Sequence, residues 1–203
     1  MDIYHYDTAL RRKGYAVIAG IDEAGRGPIA GPVVAAAVVL SDGLRIEGLR
    51  DSKEVPEKER TTLFHDILAL AEDIGIGIVE HKEIDRLNIL LATKMAMQQA
   101  LQDLNIQPDM LVIDAVTLHA IPIRQYSPFR AESISASVAA ASIVAKYVRD
   151  TIMLRYHDEY PNYKFNKHKG YGTRDHIELI RMYGPCPIHR KTFNKVMSLR
   201  LPF

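Results

Sequence analysis

The sequence predicts an α/β protein with a β-sheet packed by helices and a helical C-terminal segment. Apolar runs at residues 16–21, 33–40 and 110–113 are typical of buried strands. Helical patterns lie between the second and third runs, and from residue 135 onward they dominate. Because the strand patterns fall within the first 115 residues, we expect one sheet, with helices added at its C-terminal end.

The first half of the chain alternates between strand and helix patterns. The runs at 16–21 and 33–40 are joined by a short Gly/Pro loop, which predicts that they are antiparallel neighbours. The last of the predicted strands, at 110–113, ends on an acid, Asp114. The other elements follow from the same periodicities: a helix opened by Pro56 and reaching about residue 72, an Ile/Gly strand at 74–78, and a helix at 89–104 with Leu87 on its apolar stripe.

The second half is predicted to be mainly helical. A helix at 135–156 is rich in alanine, which suits close packing on a sheet, and a second helix at 174–183 ends at Gly184 and Pro185. Between them, residues 160–173 are expected to form a loop rich in lysine, histidine and aromatic residues. We interpret residues 1–203 as a single domain, whose residues from about 160 to 203 form a basic, substrate-contacting segment.

Composition excludes several classes of protein. The net charge of +1 means that any affinity for nucleic acid must come from local clusters of basic residues. Cys186 is the single cysteine and cannot form an internal disulfide, so we interpret it as structural or inert and expect a reducing compartment. Neither a membrane span nor a signal peptide is indicated. These observations predict a cytoplasmic protein, and nothing suggests more than a monomer.

Acidic residues follow two of the predicted strands. Asp22 and Glu23 end the first strand, just before the glycine-rich turn Gly25, Arg26 and Gly27, and Asp114 ends a later one. Acids gathered at one place repel each other unless a cation neutralises them. Oxygen ligands without a nearby His or Cys favour Mg²⁺ or Mn²⁺ over zinc. The pattern therefore indicates a divalent metal site suited to phosphodiester chemistry, although a hairpin with two surface acids would also fit the first pair.

Two further acids have simpler explanations. Glu132 precedes the long helix, where the helix macrodipole alone would favour an acid. Asp150 lies in the middle of that helix beside Arg149, and we interpret it as an ordinary partner of a basic residue.

The motifs together resemble the ribonuclease HII family over roughly residues 15–195. The matching segments, in the family's order, are 20–28 (GIDEAGRGP), 31–37 (GPVVAAA), 51–53 (DSK), 84–89 (IDRLNI), 113–115 (IDA), 140–146 (AASIVAK) and 170–173 (GYGT), followed by His176 and His189-Arg190. The resemblance implies a ribonuclease H-like mixed β-sheet flanked by helices. It also implies an endonuclease that hydrolyses the RNA strand of RNA–DNA hybrids and cuts 5′ of ribonucleotides embedded in duplex DNA, leaving 5′-phosphate and 3′-hydroxyl ends.

The resemblance also assigns roles to residues. Asp22, Glu23 and Asp114 match the metal-binding acids of the family, with Mn²⁺ or Mg²⁺ as cofactor. Gly25, Arg26 and Gly27 match the loop that, with Tyr171, recognises the 2′-hydroxyl at an RNA–DNA junction. Lys53 and Lys146 lie in matching motifs as candidate phosphate contacts. In isolation Tyr171 would more often be a half-buried core residue, but Gly170 and Gly172 beside it favour an exposed ring.

One acidic position departs from the family pattern. Most bacterial members carry an aspartate in a Lys-Gly-Asp context where this chain has Arg130, Ala131 and Glu132. A glutamate also occurs there in the related ribonuclease HIII group, which has an extra N-terminal domain. Only about 15 residues precede the first strand here, which favours HII. Glu132 therefore stays a candidate catalytic acid that would help to bind a second metal ion.

Two alternative functions remain open from the sequence: another magnesium-dependent phosphoryl-transfer enzyme, and a non-catalytic module that binds hybrids. A 2′-hydroxyl recognition loop argues against the first, and four acids argue against the second. Residues 198–203 (SLRLPF) faintly resemble peptides that dock on sliding clamps, so a weak clamp contact is a further hypothesis.

Overall fold

The sheet is mixed, as predicted. The computed structural model describes residues 2–198, except for the side chains of Lys195 and Met197. Among these residues five strands form one sheet in the order β3-β2-β1-β4-β5. Strand β1 is antiparallel to β2 and parallel to β4, β2 is antiparallel to β3, and β4 is parallel to β5. The strands are β1 (Ile18–Ala24), β2 (Val33–Val39), β3 (Asp73–Val79), β4 (Met110–Ile113) and β5 (Arg124–Tyr126).

Helices cover both faces of this sheet and make up the C-terminal part. They are α1 (Tyr4–Arg12), α2 (Glu57–Leu70), α3 (His81–Leu87), α4 (Ile89–Gln102), α5 (Ala136–Glu159), α6 (Phe165–His168), α7 (Arg174–Tyr183) and α8 (Asn194–Met197). Two 3₁₀ turns lie at Ala131–Ser133 and Pro161–Tyr163. Within residues 2–198, no helix combines the length and the hydrophobicity needed to span a bilayer.

Sequence periodicity located most of these elements but missed five of them: α1, α3, α6, α8 and β5. Helix α1 buries only Asp7 and Leu10, so it lacks a readable apolar stripe. Strand β5 is three polar or aromatic residues long and shows no alternation of apolar residues. Helix α3 was merged with α4: Leu87 belongs to α3, and Asn88, with a positive φ of 78°, separates the two helices. The expected loop at 160–173 also contains helix α6.

Helix α5 packs very closely on strand β1, and its alanines make this approach possible. The Cα of Gly20 faces the helix, and a Cβ added there would lie 2.1 Å from the carbonyl carbon of Ser137. On this face Ala139, Ala140 and Ala141 are buried together with α2 and β2. Helix α4 covers the opposite face of the sheet. The close contact places Ser137 and Val138, in the first turn of α5, against the middle of β1.

A buried carboxylate in α1 anchors the N-terminus of α5. Asp7 Oδ1 accepts a hydrogen bond from Ser135 Oγ at 2.7 Å. Asp7 Oδ2 accepts two more from Ser137, from its amide at 2.9 Å and its hydroxyl at 2.8 Å. Burial raises the pKa of Asp7, although these three hydrogen bonds oppose the shift. The short helix that the sequence pattern missed therefore helps to position the segment that carries Glu132.

Candidate active site

Asp22 and Asp114 lie side by side because β1 and β4 are parallel and in register. Ile21 pairs with Ile113, so the next residue of each strand is one of the acids. The Asp114 amide donates to the Ile21 carbonyl at 3.4 Å, and Asp22 Oδ1 accepts from the Glu23 amide at 2.7 Å. The carboxyl ends of the two strands thus bring together acids that are far apart in sequence.

Glu132 reaches the same place through a loop contact. Asp114 Oδ1 accepts a hydrogen bond from the Ala131 amide at 3.0 Å, and Glu132 follows directly. Only 3% of Glu132 is exposed, so its carboxylate faces the interior. Asp22, Glu23, Asp114 and Glu132 therefore form one group, here called the acid cluster. The structure places all four acids proposed from the sequence in one region, although no three of their side chains in residues 2–198 converge closely enough to hold a metal ion as they stand.

The acid cluster is electrostatically unfavourable on its own. Burial raises the pKa of Asp22 well above its usual value, and Glu23, Asp114 and Glu132 raise it further. Burial also raises the pKa of Glu23, with Asp114 acting in the same direction, although Arg26 and Lys53 oppose the shift. Carboxylates that resist ionisation in this way are stabilised by a bound cation.

Two basic side chains partly neutralise the acid cluster. Arg26 Nη1 lies 3.2 Å from Glu23 Oε1, and Lys53 Nζ lies 3.3 Å from Glu132 Oε1. Burial acts to lower the pKa of Lys53, but Asp51, Glu132 and Asp22 together outweigh it and raise that pKa. Arg26 of the predicted recognition loop and Lys53, a predicted phosphate contact, are therefore at the edge of the acid cluster, with the Lys53 side chain 76% exposed.

The donor set fits a hard divalent cation. Glu23 Oε2 and Glu132 Oε2 are buried and have no hydrogen-bond partner in the described part of the chain. Buried carboxylate oxygens without partners are costly, and a cation would satisfy both. No group of three or more Asp, Glu, His or Cys side chains in residues 2–198 is already gathered around one point. Arg26 and Lys53 each hold one carboxylate, so metal binding would require small side-chain movements.

The glycine-rich turn lies beside Tyr171, as the sequence predicted. We call Gly25, Arg26 and Gly27 the 25–27 loop. A Cβ added to Gly27 would lie 3.6 Å from Tyr171 Cε1, so the ring packs against the loop. The Tyr171 residue is 45% exposed, which confirms an exposed ring rather than a core residue. The loop and the ring together form a surface suited to a sugar edge.

Lys146 is in a different environment from Lys53. Its ammonium lies 2.6 Å from Asp150 Oδ1, and Arg60 Nη1 lies 3.4 Å from Asp150 Oδ2. In the described residues no recorded contact joins Lys146 to the acid cluster. Asp150 is therefore a partner of basic residues, as predicted. Its partners are Lys146 and Arg60, while the adjacent Arg149 points into the protein.

Sequence reasoning missed two arginines near the 25–27 loop. Arg149 and Arg190 are 1% and 0% exposed, and they donate hydrogen bonds to backbone carbonyls around that loop. Arginine is rarely buried, so no pattern marked these positions as interior. Arg190 lay in a recognised motif, but the motif alone did not indicate its partners. Cys186 is buried and its thiol pKa is raised to about 11 by burial, consistent with an inert role.

Solved structures define the class to which this fold and site belong. The ribonuclease H2 of Pyrococcus horikoshii OT3 has a TM-score of 0.75 and 28% identity, covering 90% of this chain and 96% of its own. A Bst-RNase HIII solved with Mn²⁺ has a TM-score of 0.70, 18% identity, and coverage of 94% and 71%, and so shows the fold alone. The protein is an α/β nuclease of the ribonuclease H-like class.

The sequence comparisons identify the family. The family model described as Ribonuclease HII matches residues 19–196. A ribonuclease HII from Acetivibrio thermocellus is 53% identical over 190 residues, covering 94% of this chain and 74% of the relative. The chain therefore belongs to the ribonuclease HII family, and the resemblance found in the sequence is confirmed.

Family membership decides between the functional alternatives. The chain is an endonuclease of the ribonuclease H type, it acts on nucleic acid, and its activity depends on a divalent metal ion, as is characteristic of the family. A non-catalytic module and an unrelated phosphoryl-transfer enzyme are thereby set aside. The roles of individual residues stay predictions, which the geometry above allows us to sharpen.

Proposed function

We propose that this protein hydrolyses the RNA strand of RNA–DNA hybrids and cuts 5′ of single ribonucleotides embedded in duplex DNA, leaving 5′-phosphate and 3′-hydroxyl ends. One observation carries the proposal: four acids, two buried and two half-buried, lie near one another beside an exposed loop and tyrosine, and two of their oxygens lack any partner among residues 2–198. This combination supports both a cation site and a surface for a sugar edge.

The acid cluster would hold Mn²⁺ or Mg²⁺. Asp22, Glu23 and Asp114 are the proposed ligands of the first ion, and Glu132 would help to hold a second. When bound, such ions activate water and neutralise the leaving oxygen of a phosphodiester. Glu132 is one methylene longer than the aspartate usual in bacterial members. Its buried position in the 3₁₀ turn keeps its carboxylate near the others despite that length.

The 25–27 loop and Tyr171 would select the ribonucleotide. A 2′-hydroxyl both donates and accepts hydrogen bonds, so backbone groups of a glycine-rich loop can satisfy it. The tyrosine ring beside Gly27 would pack on the sugar. Deoxyribose lacks the hydroxyl and would leave those backbone groups unpaired, which disfavours all-DNA duplexes.

Basic residues would position the phosphates. Arg26 and Lys53 are exposed at the edge of the acid cluster and can turn toward a phosphate without being uncovered first. Lys146 would have to leave Asp150 to do the same, and its proposed role stays a prediction. The single-domain organisation, the monomeric state and the cytoplasmic location also stay predictions. The hypothesis of a sliding-clamp contact concerns residues 198–203, which, apart from Ser198, lie outside the described residues.

The proposal is tested with a labelled DNA duplex that contains one ribonucleotide. We expect cutting on its 5′ side with Mg²⁺ or Mn²⁺, none with EDTA, and none of an all-DNA duplex of the same sequence. Extension of the upstream fragment by a DNA polymerase would detect its 3′-hydroxyl, and ligation of the downstream fragment would detect its 5′-phosphate. Cutting of the all-DNA duplex at a similar rate would contradict the proposed role of the 25–27 loop and Tyr171.

A further inference from the structure

Two buried guanidinium groups lie directly beneath the 25–27 loop. Arg149 and Arg190 form no ion pair with a carboxylate in residues 2–198, and their recorded hydrogen bonds go to backbone carbonyls. Arg190 donates to Gly25 at 2.6 Å, Arg26 at 3.1 Å, Pro28 at 2.7 Å, Gly31 at 2.9 Å and Pro32 at 3.1 Å. Arg149 donates to Ala30 at 3.2 Å, Pro32 at 3.1 Å and Lys169 at 3.0 Å. We call these two side chains the arginine clamp.

The arginine clamp is costly for the fold. Burial lowers the pKa of Arg190 to about 9, with Arg149 adding to the shift, and burial lowers that of Arg149 to about 10. Both groups are still charged at neutral pH, and no carboxylate of residues 2–198 contacts either one, although Asp85 and Asp150 act on them from a distance. Two like charges kept in the interior are a poor way to stabilise a fold, because apolar residues of similar volume often do so as well. A specific geometric task explains them better.

That task is visible in the direction of the peptide groups. In a planar trans peptide the carbonyl of one residue and the amide of the next point in opposite directions. Arg190 draws the carbonyls of Gly25 and Arg26 inward, so the amides of Arg26 and Gly27 point outward. Both residues are exposed, and neither amide has a hydrogen-bond partner in the described residues. Two free N–H donors are thus presented at the surface of the 25–27 loop.

The arginine clamp also fixes the loop relative to Tyr171. Arg149 bonds Ala30 and Pro32 on one side and Lys169, two residues before the tyrosine, on the other. The Ile29 amide donates to the Gly170 carbonyl at 2.9 Å, which adds a backbone link between the two segments. Gly25 has a φ of 104°, and a Cβ there would lie 2.2 Å from Arg149 Nε, so the loop lies directly on the guanidinium.

We propose that Arg190, with Arg149, is a positioning residue for recognition of the ribose 2′-hydroxyl: its planar fork holds the loop carbonyls inward and so aims two backbone amides at the sugar. The inference rests on the proposed function and adds the residues that determine its ribonucleotide selectivity. It predicts that selectivity depends on the fork and not only on the positive charge. Lysine keeps the charge but cannot span several carbonyls in one plane.

The test measures selectivity in binding, apart from catalysis. Fluorescence anisotropy gives the Kd for a duplex with one ribonucleotide and for the same all-DNA duplex, with Ca²⁺ in place of Mg²⁺ under conditions where no cleavage is detected. We expect Arg190→Lys to lower the ratio of the two affinities about tenfold, as expected for a lost hydrogen bond. Affinity for all-DNA should change less than about twofold, since the charge is kept. Arg149→Lys should act in the same direction.

The matched control is Arg86→Lys. Arg86 is an exposed arginine of α3, paired with Glu83 at 2.7 Å, and among residues 2–198 its side chain bonds neither the 25–27 loop nor the acid cluster. Its selectivity ratio should equal that of the wild type. Mn²⁺ titration by isothermal calorimetry and a thermal melt accompany each variant. Unchanged Mn²⁺ affinity in a folded Arg190→Lys would show that the acid cluster is intact, so a lost ratio cannot come from general damage.

The outcomes separate the two levels of the argument. A wild type that does not prefer the ribonucleotide would overturn the proposed role of the loop itself. If the wild type prefers the ribonucleotide and a folded Arg190→Lys keeps the same ratio of affinities, only the arginine clamp inference is overturned. Equal losses of affinity for both duplexes would also overturn it, since they indicate a charge effect. If Arg190→Lys does not fold, Arg149→Lys decides. If neither folds, the role is global stability and the inference is wrong.

Discussion

Acid should destabilise this protein through two histidines that are buried in the neutral state. His176 Nδ1 lies 2.8 Å from the Tyr171 carbonyl, which can only accept, so Nδ1 carries the proton. His176 Nε2 then accepts from His189 Nε2 at 3.1 Å. His189 Nδ1 lies 3.1 Å from the Cys186 thiol, from which the neutral ring accepts, and 3.2 Å from the Cys186 carbonyl, to which only a protonated Nδ1 could donate. These tautomers are assigned from the partners. A proton added to His176 would place two N–H groups against each other.

The magnitude follows from the pKa shifts. Burial lowers the pKa of His176 from 6.5 to about 3 and that of His189 from 6.5 to about 4. The unfolded state therefore binds more protons once the pH falls below 6.5, and stability declines from there down to the folded-state values. A pH of 5 is about 1.5 units below the unfolded-state pKa of each imidazole. At about 1.4 kcal/mol per unit, the two histidines together lower the free energy of unfolding by about 4 kcal/mol.

The assay is urea unfolding between pH 7.5 and pH 5, compared between wild type and His189→Gln. Asp22 and Glu23 have raised pKa values, so protonation of these acids stabilises the fold as the pH falls and opposes the histidines. The difference between wild type and variant cancels this opposing effect. Glutamine cannot be protonated, so we expect the variant to be less stable at pH 7.5 but to lose about 2 kcal/mol less on acidification.

The control and the refuting result are both clear. His119 is exposed, and His119→Gln should follow the wild-type pH dependence. If His189→Gln loses as much stability between pH 7.5 and pH 5 as the wild type does, the neutral buried pair is not the cause. The assigned chain from Cys186 to Tyr171 would then be wrong.

Three further predictions follow from the acid cluster and the sheet. Asp114→Asn should lower turnover about 100-fold or more with little loss of substrate binding, because the acid acts through the metal in the transition state. Single-turnover kinetics measure the turnover and anisotropy measures the binding. Unchanged turnover would remove Asp114 from the site. Asp22→Asn should raise the free energy of unfolding of the metal-free protein by about 0.5–2 kcal/mol, since it removes a buried repelling charge. It should also abolish stabilisation by Mn²⁺ in thermal melts. Retained stabilisation would contradict the assignment of Asp22 as a ligand. Gly20→Ala should lower the free energy of unfolding by about 3 kcal/mol or more, because its Cβ would meet the backbone of α5 at 2.1 Å. The control is Gly43→Ala, whose Cβ would meet nothing within 4 Å and which should cost only about 1 kcal/mol of backbone strain. Chemical denaturation measures both values.

Local sequence determined four of the five strands in the described residues and the positions of the acids. The apolar runs before Asp22 and Asp114 indicate both the strands and the acids, because a buried strand must be apolar and its end must meet solvent or a ligand. The alanine-rich pattern of α5 likewise indicated close packing on the sheet, which Gly20 confirms. Helix α1 was missed because its central buried group is a carboxylate, Asp7. Its three hydrogen bonds come from Ser135 and Ser137, about 130 residues away.

The sequence by itself determined the family, the candidate acids and the exposed Tyr171, since these depend on short motifs in a set order. Tertiary structure alone decided which basic residues lie at the site. Lys53 contacts Glu132 while Lys146 pairs with Asp150, and no local pattern separates these two lysines. It also decided that Arg149 and Arg190 are interior. A buried guanidinium is stable only where many carbonyls converge on it, and that convergence exists only after residues 25–32 and 169–190 have folded together.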